Sequence, residues 1–96
     1  MARTLEITRL FIDNVPVMPE TEFEALLRQR GHRPTAVTFF APDGDRVRAR
    51  VEFATPSECK KARFDLGGLV VEANGREHRL FAAPFREGSR RASVIK

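Results

Sequence analysis

A single cysteine, Cys59, is all the thiol chemistry that this 96-residue sequence carries. It has no second cysteine with which to close an internal disulfide and no thiol partner for a zinc site. An intracellular setting is therefore expected, nuclear or cytoplasmic, with a mitochondrial one left open. Long apolar runs are missing too. None approaches the roughly 18–20 residues that span a bilayer, so no membrane partner is expected. The opening segment, "MARTLEITRLF", has neither an uninterrupted apolar stretch nor a small-residue cleavage site, and does not read as a secretory signal. Glu6 and Asp13 argue against taking its Arg3 and Arg9 for a mitochondrial presequence.

Catalytic constellations are equally scarce. No Ser-His-Asp set, paired carboxylates or phosphate-binding loop is recognisable, which predicts a non-enzymatic chain with no cofactor and no metal. His32 and His78 lie far apart with no carboxylate or thiol at ligand spacing, and read as ordinary surface residues.

What remains is a basic, well-mixed composition. With 42% hydrophobic and 31% charged residues the chain suits one folded domain with one core. Its net charge of +4 and pI near 10.2 favour polyanionic partners, through phosphate neutralisation and counterion release.

Hydropathy periods and turn residues order the elements. "RLFIDNV" (residues 9–15) alternates as a strand, and Pro16 and Pro19 bracket its exit. Thr21 followed by Glu24 reads as a capping box opening a helix, with Phe23, Leu26 and Leu27 as its buried stripe and Gly31 as its left-handed stop. A strand in "TAVTFF" ends at "PDG", a tight turn. Thr55, Pro56 and Glu58 start a second helix whose inward face is Cys59, Ala62 and Leu66. "LVVEANGREHRLFA" folds back at Asn74-Gly75, the pair most favoured for a two-residue hairpin.

Between the helices lies "RVRARVEF" (residues 46–53), which alternates strictly. Val47, Ala49, Val51 and Phe53 fall on one side, and Arg46, Arg48, Arg50 and Glu52 on the other. The order β-α-β-β-α-β, with a small hairpin before the last strand, predicts a ferredoxin-like α+β sandwich: one antiparallel sheet with two helices on one face. The arginine row then points to the face without helices. Residues 1–7 form an N-terminal extension, 8–84 the domain, and 85–96 a basic, flexible tail. In that tail Arg90-Arg91-Ala92-Ser93 fits the preference of basophilic kinases at Ser93.

Across residues 8–84 the chain resembles the RNA recognition motif (RRM) family. Leu10-Phe11-Ile12-Asp13-Asn14-Val15 matches the six-residue signature of the family's first strand. In the eight-residue signature of its third strand, Arg46, Ala49, Val51 and Phe53 match, while Arg48 and Arg50 stand at the two aromatic stacking positions. The segment "PSECKKARFDLGG" looks like the family's second helix. The resemblance implies a module that binds RNA or single-stranded DNA on its open sheet face, with Phe11 stacking a base and arginines reaching phosphates. If alternation carries through, Phe40, Phe81 and Arg79 share that face. The expected nucleic-acid site is therefore Phe11, Asp13, Phe40, Arg46, Arg48, Arg50, Arg79 and Phe81. Relatives without third-strand aromatics often bind protein instead, so docking as a subunit of a ribonucleoprotein complex is the alternative. A solvated face, with the arginines paired to Asp13 and Glu52, is the plainer reading.

Overall fold

Strict alternation in residues 46–53 becomes a two-sided strand in the computed structural model, which describes residues 7–84. Val47, Ala49, Val51 and Phe53 are buried, while Arg46 and Arg48 are exposed and Arg50 and Glu52 half-buried on the other side. Along the chain the elements are β1 (Arg9–Pro16), α1 (Glu20–Gln29), β2 (Ala36–Phe39), β3 (Arg46–Glu52), α2 (Pro56–Leu66), β4 (Val70–Ala73), β5 (Arg76–Arg79) and β6 (Phe81–Pro84). Four strands pair in the order β2-β3-β1-β6, all antiparallel, and β4 with β5 forms a separate two-stranded ribbon. This is the ferredoxin-like α+β architecture.

The core lies between one sheet face and the helices. Leu10, Ile12 and Val15 of β1 meet Phe23 and Leu27 of α1 and Cys59, Ala62 and Leu66 of α2. Ile12 and Val15 are three apart yet both fully buried, which a period of two forbids. A bulge resolves the conflict: the register with β3 shifts between Ile12 and Val15, and Asn14 takes a left-handed conformation at φ 67°. Asparagine tolerates that region better than most side chains.

The first helix departs from its expected start. It begins at Glu20, with Pro19 rather than Thr21 at the N-cap, and no side chain caps it. Proline already supplies the extended backbone a cap needs, and its carbonyl accepts from the Glu22 and Phe23 N–H groups. The Glu20 carboxylate instead accepts from the Phe39 N–H at 2.9 Å, tying α1 to the outer edge of the sheet. At the other end Gly31 is left-handed as expected, with φ 91°; its N–H donates to Arg28 and that of His32 to Leu27, a Schellman motif. The second helix starts as read: the Thr55 hydroxyl accepts from the Glu58 N–H, and Pro56 fills the first position.

Neither histidine is a surface residue. His32 is 6% exposed and His78 5% exposed. His32 Nε2 donates to Asp65 Oδ2 at 2.7 Å, and the same carboxylate accepts two 2.8 Å hydrogen bonds from Arg30. His78 sits on the inward side of β5, two residues before fully buried Leu80. The expected tail, with Ser93, lies outside the described residues.

Candidate nucleic-acid interface

Strand pleating puts Phe11 and Asp13 on the side of β1 opposite Leu10 and Ile12. Register then fixes their neighbours. Phe11 lies between Arg50 of β3 and Ala83 of β6, and Asp13 lies opposite Phe81. Phe40 follows β2 directly, its N–H donating to the Arg48 carbonyl at 2.9 Å, so the pleat carries its ring to the same face. Phe39, one residue earlier, packs into the core against Phe23.

Phe11 of β1, Phe81 of β6 and Phe40 just after β2 thus converge. Phe11, Phe40 and Phe81 line one open concavity of about 720 Å³, together with Asp13, Arg46 and Arg48. The Phe11 and Phe40 rings are tilted at 56°, with centroids 5.8 Å apart. Phe81 is 58% exposed, an unusual state for a phenylalanine.

The arginines are not equivalent. The Arg48 guanidinium lies over the Phe11 ring, 5.6 Å from its centroid, and donates to Asp13 at 3.2 and 3.4 Å. Both side chains are about half exposed, so this pair contributes little, under about 1 kcal/mol. Arg50 Nε is buried and lies 3.5 Å from Glu52 Oε2, an ion pair that does not reach hydrogen-bond geometry. Arg46 makes no ion pair among the described residues and sits at the rim.

Arg79 is placed elsewhere. It belongs to β5, outside the four-stranded sheet, and does not line the concavity. Its carbonyl accepts from the Asn14 side chain at 3.0 Å, which ties the β4–β5 ribbon to the β1 bulge. The ribbon is held a second time by the ion pair of Arg76 with Asp45, which keeps the Asp45 carboxyl below its ordinary pKa. Beside that pair lies a smaller hollow of about 430 Å³ that shares Asn14 and Arg46 with the first. Neither Asn14 nor Arg76 is legible in the sequence as a neighbour of the site. The Asn74-Gly75 turn identifies a hairpin, but no local signal says where it docks.

Among the described residues, no group of three or more His, Cys, Asp or Glu side chains is placed to hold a metal ion. No helix there is long and apolar enough to cross a membrane. Cys59 is buried, and the loss of solvation pushes its thiol pKa up, away from the reactive thiolate.

No protein-family model matches the sequence, and no curated protein matches it. Solved structures do match the fold. A structure of the Mip6 RRM3 domain is 17% identical with a TM-score of 0.66, over 82% of this chain and 93% of that one. A second structure of the same domain gives 16% identity and a TM-score of 0.65, over 82% and 94%.

Proposed function

From a chain folded as an RNA recognition motif, we propose a non-catalytic module that binds single-stranded RNA, or single-stranded DNA, on its helix-free sheet face. The observation that carries this reading is the meeting of Phe11, Phe40 and Phe81 at one open hollow rimmed by Arg46 and Arg48. Exposed aromatic rings with arginines beside them are what unpaired bases and their phosphates require, although Asp13 and Asp43 line the same hollow. In this reading Arg48 and Arg50 replace the third-strand aromatics. A guanidinium plane can lie on a base or pair with phosphate, but gives less stacking area than a ring.

Titration of labelled single-stranded RNA at low salt tests it. Phe11→Ala is expected to weaken binding by about 1–3 kcal/mol, the contribution of one stacked base, or roughly 5- to 150-fold. Unchanged affinity in that variant would remove Phe11 from the site.

Docking to a protein subunit of a ribonucleoprotein complex is the second reading, favoured by one feature of α2. Phe64 is 68% exposed, with the Arg63 guanidinium 5.7 Å from its ring centroid and exposed Lys60 and Lys61 one turn earlier. A basic helix face with one aromatic knob suits an acidic protein surface. Phe64→Glu is expected to abolish cross-links to such a subunit while leaving RNA affinity within about twofold, since surface changes far from a site add independently.

A further inference from the structure

We propose that Asp13 makes the hollow selective for guanine over uracil. This rests on the reading of the helix-free face as the nucleic-acid site and adds the identity of the favoured base.

A carboxylate on a surface meant for a polyanion is electrostatically unfavourable, yet Asp13 lies inside the hollow with its side chain half exposed. It is two residues along β1 from Phe11 on the same face, about 6.6 Å at strand rise. A base stacked on Phe11 would therefore carry its polar edge towards Asp13. An ionised carboxylate only accepts hydrogen bonds, through two oxygens side by side. Guanine answers with two adjacent donors on its pairing edge, N1–H and the N2 amino group. Cytosine and adenine offer an amino group alone. Uracil offers a single N3–H flanked by two carbonyl oxygens, which the carboxylate repels.

The free protein has Asp13 engaged by Arg48, and the same guanidinium covers Phe11. One movement of Arg48 towards a phosphate would lift its guanidinium from the ring and release the carboxylate together. That movement costs little, because the pair is exposed on both sides and its hydrogen bonds are long. The bidentate contact to guanine outweighs what is lost.

Two labelled RNA octamers test the assignment, octauridine and the same chain with two central guanines. The guanine-bearing octamer is expected to bind wild type about tenfold more tightly, in the range a bidentate base contact supplies. Asp13→Asn puts one acceptor and one donor at the same place, an edge that suits uracil as well. The variant is expected to bring the two octamers to near parity and to bind octauridine more tightly than wild type does. Equal binding of both octamers by wild type, or an undiminished preference in Asp13→Asn, would overturn the guanine assignment and leave the nucleic-acid reading standing. Failure of wild type to bind either octamer at low salt would overturn both.

Discussion

Arg48→Glu combined with Arg50→Glu is expected to take single-stranded RNA binding below detection while leaving the fold intact. Each substitution changes the charge by two, so the pair lowers the net charge from +4 to 0. The new carboxylates would stand beside Asp13 and Glu52, the two acids that the arginines now face. A weak attraction on that surface becomes a repulsion. The salt dependence should change in step. Each phosphate contact to a single strand contributes about −0.7 to the slope of log K against log salt, so losing two flattens it by about 1.4. Stability should hold, because the core side of β3 is carried by Val47, Ala49 and Val51, all buried. The charge-preserving pair Arg48→Lys with Arg50→Lys separates charge from shape. It should keep most of the salt slope and lose part of the affinity, since an ammonium cannot lie flat on a ring or base. Full affinity in the double glutamate variant, with an unchanged melting curve, would place the nucleic-acid contact away from this sheet.

How much of this site was legible in the sequence depends on the range of the signal. The two-sided character of β3 rests on a period of two within eight residues, and the pleat reproduces it. The open placement of Phe40 and Phe81 follows from the same parity, since Phe39 and Ala82 take the core side. Arg79 shows where parity stops. Arg79 and Phe81 point outward on either side of buried Leu80, but the chain changes sheets there. Alternation specifies a side and says nothing of which strand is the neighbour. The bulge at Asn14 was likewise hidden, being settled by the need to bury both Ile12 and Val15. Thr21 misled because its capping pattern is local, whereas Pro19 and the Glu20 contact to Phe39 fix the start of α1 from 19 residues away. The histidines misled for the same reason: the partner of His32 is Asp65, 33 residues further on.

That distant partner carries the second large effect. Asp65 lies in the last turn of α2, where the helix dipole disfavours a carboxylate by some tenths of a kcal/mol. Its position makes sense only through what it joins. The two Arg30 hydrogen bonds and the one from His32 tie the C-terminal ends of both helices. Hydrogen bonding by Arg30, helped by His32 and opposed by partial burial, holds the Asp65 carboxyl well below the usual carboxylate range. A depressed folded-state pKa means that the unfolded chain binds the proton more readily. The stabilisation is therefore complete above the unfolded value of about 4 and is lost as pH falls below it towards the lowered folded value. Asp65→Ala removes all three bonds and leaves a ring N–H of buried His32 without its acceptor. The expected cost is about 2 kcal/mol, or roughly 8–16 °C in melting temperature for a domain of this size. Thermal melts between about pH 7 and pH 3 should show wild type losing stability below about pH 4 and the variant losing less. RNA affinity should not change, because the cluster lies on the helical side, opposite Phe11 and the arginine row. Parallel acid profiles for the two proteins would mean that the tie between the helices does not depend on the Asp65 charge.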